Sequence, residues 1–316
     1  MLILALFAVL SCTRPAPTPS PMPKPTPAPT PTPIAAPTPA LTPTPARAPL
    51  PIPTPSPITI LSDTTLTTDL IFEGDGIIIG ADDIVLDLGG HGITGPGKGP
   101  WTWPDPALSS VGIKVNGRRG VTIRNGAVGS FASGILIQGS QDIRVEGITT
   151  SLNHYGIYMG DSGQSRVENS QITANIYGFT MIRGRENQIV GNRAFNNLYS
   201  SPGGYGLCLI ASSDNLVKAN QIYSNMVQGI WIIESVNNLI YHNNVMGNSP
   251  NAVDEPAVNL WYDPASKEGN YWGDYAGKDS DGDGIGDTPY QFYDRGQDPY
   301  PFVRPDAWVG RSGAQR

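Results

Sequence analysis

The chain has 316 residues, a net charge of −7 and only 15% charged residues. It is long enough for one sizeable domain with appendages, and it has no basic stripe with which to displace counterions from a nucleic acid, so no nucleic-acid partner is expected. Two cysteines, Cys12 and Cys208, make no disulfide framework, and His91, His154 and His242 are too few for a buried multi-histidine metal centre.

Residues 1–12, MLILALFAVLSC, form an apolar run too short to span a bilayer but suited to a signal-peptide core. Val9-Leu10-Ser11-Cys12 resembles a bacterial lipobox, which implies lipidation of Cys12 and a membrane anchor; a plain cleaved signal would instead leave a secreted protein. In residues 13–57 proline recurs at nearly every second position from Pro15 to Pro57, with Thr and Ala between. No apolar face exists there to pack. The composition predicts an extended polyproline II stalk, on the order of 100 Å long at ~3.1 Å per residue, with threonines open to O-glycosylation.

A folded domain is expected over 58–303. Thr59 to Phe72 reads as a capping strand or two, and Gly76 to Gly95 reads as the first full coil of a repeat. Within it, Asp82-Asp83-Ile84-Val85-Leu86-Asp87-Leu88-Gly89-Gly90-His91-Gly92 resembles the NosD-like, or CASH-type, β-helix proteins of the pectin-lyase-like fold, a group named for carbohydrate-binding proteins and sugar hydrolases. Between Pro96 and Ser110 a proline-rich loop carries Trp101 and Trp103, which either cover the wall of the domain or offer a flat surface to sugar rings.

From Gly112 a glycine followed by apolar, any, apolar recurs six times: at Gly112, Gly134, Gly156, Gly178, Gly206 and Gly229, spaced 22, 22, 22, 28 and 23 residues apart. The excursion Asn197 to Gly204 accounts for the long interval. Each apolar run is three or four residues long and broken by Gly, Asn or Ser, so the elements are strands that bury a face only by stacking on their copies. The fold class is all-β, a right-handed parallel β-helix of about eight coils of ~22 residues. Ile135, Ile157, Phe179, Leu207 and Ile230 form one inward column, and Ile137, Met159, Met181, Leu209 and Ile232 a second. Lys114, Leu136, Tyr158, Thr180, Cys208 and Trp231 should point outward. Asn125, Asn169, Asn192, Asn220 and Asn243 read as one turn ladder, since Asn tolerates the left-handed region and its amide reaches the coils above and below. A last coil is suggested by Ala257 to Trp261, and residues 304–316 are a tail.

The segment 269–303, with Asn270-Tyr271-Trp272, Asp279-Ser280-Asp281-Gly282-Asp283-Gly284-Ile285-Gly286-Asp287 and Asp298-Pro299-Tyr300-Pro301-Phe302, extends the NosD-like resemblance and is expected to cap the helix. Its carboxylates follow the ligand order of a calcium loop, with Asp279, Asp281, Asp283 and Asp287 and the carbonyl of Ile285 as ligands. Tyr290 stands where an EF-hand has its glutamate, so the expected site is a shorter structural calcium loop, with Asp274 or Asp294 as candidate further ligands; the alternative is a solvated acidic turn.

For catalysis, Glu146 lies one coil below Glu168, about 5 Å away, the separation of a retaining glycosidase pair. The alternative is a surface ladder in which each pairs diagonally with Arg144 or Arg166. Asp254, Glu255 and Asp263 form a second acidic group near the last coil. For sugar binding, Tyr155, Tyr177 and Tyr205 each precede a repeat glycine and form a column beside Tyr158, Trp231 and His154; the alternative is that the stacked tyrosines simply line a turn. The resemblance also implies copper, since NosD is named as a copper-handling accessory factor of nitrous oxide reductase. Copper is not expected here: Met159 and Met181 belong to the core and the histidines fall on separate coils. The expectation is a monomeric, membrane-anchored or secreted envelope protein that binds a carbohydrate polymer or surface component without catalysis. The alternatives are a polysaccharide hydrolase or lyase, and a periplasmic copper-handling factor.

Overall fold

A computed structural model describes residues 57–97, 109–197, 203–255, 258–292 and 296–311. Cys12, the stalk, Trp101, Trp103 and Asp294 lie outside the described residues.

Among the described residues there is no helix, and the chain winds as a parallel β-solenoid whose coils present three faces. The first face is a nine-stranded parallel sheet running from Ile58–Ile60 through Val111–Asn116, Ser133–Gln138, Tyr155–Gly160, Tyr177–Ile182 and Tyr205–Ile210 to Ala252–Glu255. The second face carries Arg166–Glu168, Gln188–Val190 and Leu216–Lys218, and the third carries Gln171–Thr173, Arg193–Phe195 and Gln221–Tyr223. In two coils the longer strands Thr122–Gly129 and Arg144–Ser151 bend across both. Equivalent residues sit in register, Tyr155 opposite Tyr177 and Arg144 opposite Arg166. The entry segment does more than cap, because Ile58–Ile60, Thr64–Thr65 and Leu70–Ile71 pair as a coil of their own. The last coil also begins earlier than expected, at Ala252–Glu255, and Leu260 bridges Leu239 on the second face.

Both inward columns are buried at 0–1% exposure, as alternation requires. The outward column is less open than its polarity predicts. Lys114, Tyr158 and Trp231 are partly exposed, whereas Leu136, Thr180 and Cys208 are buried. The repeat glycines have a steric cause, since a Cβ on Gly178 would lie 2.5 Å from the carbonyl oxygen of Gly206 and 2.8 Å from Asn197 Nδ2.

That asparagine belongs to one of three buried ladders. Asn153, Asn175, Asn197, Asn225 and Asn248 form the first, and Asn187, Asn215, Asn238 and Asn259 the second. The third runs Ser170, Asn192, Asn220, Asn243, Asn270. In each rung Oδ1 accepts the backbone N–H of the residue one coil below, while Nδ2 donates to a main-chain carbonyl, as Asn220 does to Ile189 at 2.8 Å. The predicted ladder is thus corrected in two members. Asn125 and Asn169 stand one residue earlier, at φ 59° and 51°, in the left-handed column that Gly191, Ala219 and His242 continue. Ser170 takes the ladder place beside Asn169, because its Oγ accepts the N–H of Ile148 just as an asparagine oxygen would.

Candidate functional site

The corner between the first and second faces carries a shallow open groove across three successive coils. One part encloses about 630 Å³ and is lined by Asp142, Arg144, Gln164, Arg166, Glu168, Glu186 and Gln188. A second part, about 410 Å³, shares Gln164 and Glu186 and continues to Asp161, Gly163, Arg183 and Arg185. The side chains project here because the second-face strands alternate, with Val145 and Val167 inward and Arg144, Glu146, Arg166 and Glu168 outward. Gly163 occupies the place that Gln141 fills below and Arg185 above, and its missing side chain notches the ridge.

Glu146 and Glu168 are in register, as the spacing predicts. Glu168 is nearly buried, and its two oxygens are held separately, Oε1 by Arg144 Nε and Oε2 by Arg166 Nε, both at 2.7 Å. Glu146 lies 3.1 Å from Arg144 Nη2. Burial pushes the Glu168 carboxyl up, but the hydrogen bonds and charges of Arg166 and Arg144 outweigh it and hold the group below the usual carboxylate range. A carboxylate so held has no proton to give as a general acid, and both oxygens are engaged. Only the Arg144–Glu168 pair is diagonal, since Glu146 pairs with Arg144 and Glu168 also with Arg166 within their own strands.

The tyrosine column forms as expected, but its ring faces are turned on one another. Tyr155 stacks on Tyr177 at 5.0 Å, Tyr177 on Tyr205 at 5.1 Å and Tyr205 on Trp231 at 5.2 Å. Tyr158 meets Tyr155 edge-on, and His154 lies against Tyr155 and Tyr177. Burial pushes the His154 imidazole down to about 4, so it is neutral at physiological pH, and pushes the Tyr177 phenol up to about 12. The column presents ring edges rather than a flat platform.

In the acidic loop, Asp279, Asp281 and Asp283 each bring a carboxylate oxygen within 4.8 Å of the others, close enough to share a cation. Gly282 and Gly284, at φ 77° and 88°, allow the chain to wrap so tightly. Asp279 accepts the N–H groups of Gly282, Asp283 and Gly284, whereas Asp287 accepts Ser280 N and Oγ instead of joining the three. The Ile285 backbone pairs with Phe302. Asp274 is engaged elsewhere, accepting Asn251 Nδ2 and the Tyr290 hydroxyl.

The acidic group of the last coil belongs to the cap. Asp254 is buried and accepts Asn259 Nδ2 at 2.6 Å and Trp261 Nε1 at 2.9 Å, while Asp263 holds Ala265 N and Ser266 Oγ. Asp298, unassigned by sequence reasoning, repeats the Asp254 arrangement. It terminates the third ladder by accepting Asn270 N at 2.7 Å and Trp272 Nε1 at 2.9 Å. Burial pushes Asp298 up to about 6 against these hydrogen bonds. The paired Asn-x-Trp motifs, Asn259-Leu260-Trp261 and Asn270-Tyr271-Trp272, were the available signal. Sequence reasoning also missed a buried set in which Glu268 bridges His242 Nε2 at 2.8 Å and Arg311 Nε at 2.6 Å, with Trp308 stacked on the imidazole.

Residues 99–277 match the family described as periplasmic copper-binding protein (NosD). No curated protein matches the chain. Among solved structures, it is similar to a mutant of the periplasmic alginate epimerase AlgG at 18% identity, over 68% of this chain and 64% of that one, with a TM-score of 0.47. It is also similar to a pectate lyase at 15% identity, over 70% and 64%, TM-score 0.44. A third is tailspike protein 2 of bacteriophage CBA120 at 13% identity, over 69% and 37%, TM-score 0.46. The chain thus spans less than two thirds of each of these structures, and the likeness is one of fold.

The family's description implies copper, whose preferred donors are imidazole, thiolate and thioether. Among the described residues, the imidazole and thiol groups do not converge on a common site. Met159 and Met181 face the core, Cys208 is buried with its thiol pushed up by burial, and His242 is held by Glu268. The side chains that do converge are the three carboxylates of the acidic loop, which are hard donors. The family match nonetheless covers more than half of the sequence and most of the solenoid coils, and the chain therefore belongs to the NosD family.

Proposed function

We propose that this NosD-family solenoid is an extracytoplasmic, non-catalytic binding protein for a carbohydrate polymer or a comparable surface component, held along the groove at coils 141–188. The observation that carries this reading is the groove itself. It is open along the solenoid axis, and coil after coil it presents planar guanidinium, carboxylate and amide groups suited to paired hydroxyls. The leader, a lipid on Cys12 and the proline-rich stalk would hold the domain away from a membrane. A calcium ion on Asp279, Asp281 and Asp283 would pin the cap, since the hard oxygens suit it and the loop packs on Phe302 through Ile285. The engaged oxygens of Glu168 favour binding over hydrolysis.

A glycan-array screen of the full chain, run with a parallel assay for released sugar, tests the proposal. Binding without release is the expected result. Release that disappears in Glu168→Gln would replace this reading with the hydrolase or lyase, and failure to bind any glycan would remove it.

A further inference from the structure

We infer that the groove takes a neutral, hydroxyl-rich glycan rather than an acidic one; this rests on the groove being a glycan site at all. Arg144, Arg166, Arg183 and Arg185 line its two parts, and four carboxylates answer them, so the lining carries no net charge. Each of these guanidinium groups already faces a carboxylate, Arg185 only through Asp214, which lies 3.8 Å away and outside the lining. Glu168 takes one Nε from each of Arg144 and Arg166, and Asp161 takes Arg183 in a two-pronged pair, Nε to Oδ1 at 2.5 Å and Nη2 to Oδ2 at 2.8 Å.

An acidic sugar would have to compete with a protein carboxylate for each arginine it used, or lie against carboxylates it repels. The chain as a whole, at −7, adds long-range repulsion toward a polyanion. A hydroxyl pays neither cost. The groove keeps neutral hydrogen-bonding groups for it in Gln164, which donates to Glu186 at 3.2 Å, and Gln188, which accepts from Arg166 at 2.6 Å. Ion pairing also fixes the guanidinium and carboxylate planes before a ligand arrives, which lowers the ordering cost of binding. The notch at Gly163, between Gln141 and Arg185, gives a polymer a place to cross from one part to the other.

The test is titration of the full chain with a neutral mannan or glucan and with a polyuronate, each at low and high salt. The expected result is binding of a neutral polymer that salt leaves unchanged, with the polyuronate at least about tenfold weaker. Glu168→Gln, which leaves the lining net positive, should raise polyuronate affinity and make it salt-sensitive. The exposed double change Gln164→Ala with Glu186→Ala should weaken the neutral polymer by about tenfold without unfolding the protein. Polyuronate binding tighter than any neutral polymer, falling steeply with salt, overturns this inference and leaves the glycan reading standing. Binding of neither class overturns both.

Discussion

Replacing Asn220 by alanine tests whether the ladders, rather than the apolar columns alone, hold the coils together. Asn220 is 0% exposed. Its Oδ1 accepts Asn192 N at 2.9 Å and Asn192 Nδ2 at 3.1 Å, and its Nδ2 donates to Ile189 O at 2.8 Å and Asn243 Oδ1 at 2.9 Å. The substitution strands the Asn192 N–H and the Ile189 carbonyl on the coil below and removes one of the two donors that Asn220 gives to Asn243 Oδ1 above, in a buried place. At a net contribution of about 1 kcal/mol per hydrogen bond, and more for each group left buried and unpaired, the loss should be about 3–6 kcal/mol. Asn169→Ala is the control, because Asn169 is exposed, lies outside the ladder, and costs only the roughly 1–2 kcal/mol of placing alanine at φ 51°. Urea denaturation followed by circular dichroism and by tryptophan fluorescence gives both values. Trp261 and Trp272 sit in the C-terminal coils, so fluorescence should lead circular dichroism if the break releases those coils first. A cost for Asn220→Ala within about 1 kcal/mol of the control would refute the reasoning, since it would mean the ladder's bonds are replaced without penalty.

Gly178→Ala should destabilise the chain by several kcal/mol, on the order of an overpacked core, because its Cβ meets the Gly206 carbonyl and Asn197 rather than a movable side-chain end; thermal unfolding beside a Gly92→Ala control, whose Cβ would meet only Asp69 Oδ1 at 3.8 Å, measures this. Asp298 has a folded pKa of about 6 against 3.8 unfolded, so the folded state binds its proton more tightly. Stability from this group is present in full below pH ~4 and is lost as pH rises through ~6, by something of the order of 3 kcal/mol. Asp254 shifts in the same direction, and Asp298→Asn should flatten most of the slope in a pH series of denaturation midpoints. Calcium should raise the unfolding temperature of the native chain and leave Asp279→Asn with Asp283→Asn unmoved, with chelation reversing the effect; no response in the native chain would remove calcium from the cap. Copper reconstitution followed by metal analysis should return no stoichiometric copper, and one tightly held copper per chain would overturn the misfit of the soft donors.

The period of the glycines and the alternation around them were enough to place the solenoid, its two inward columns and the pairing of Arg144 and Glu146 with Arg166 and Glu168. Those are local properties: a strand has a two-residue period, a coil of 22 residues cannot bury a face alone, and stacking copies aligns like with like. The sequence also showed that asparagine would form ladders, but not which residue of each turn would enter them. Asn169 and Ser170 are neighbours, and only the backbone path decides that the asparagine takes the left-handed corner while the serine points inward. Other features depended on where side chains end up in space. Whether Tyr177 offers its face to solvent or to Tyr205, and whether Glu168 keeps a free oxygen, are rotamer choices set by neighbours a coil away. The reach of Asp298 back to Asn270 and Trp272, and of Arg311 back to Glu268, spans the whole cap and has no periodic trace. A repeated pattern is written in each copy and is legible from one, whereas a contact made once, between segments that do not repeat, is settled only when the chain has closed on itself.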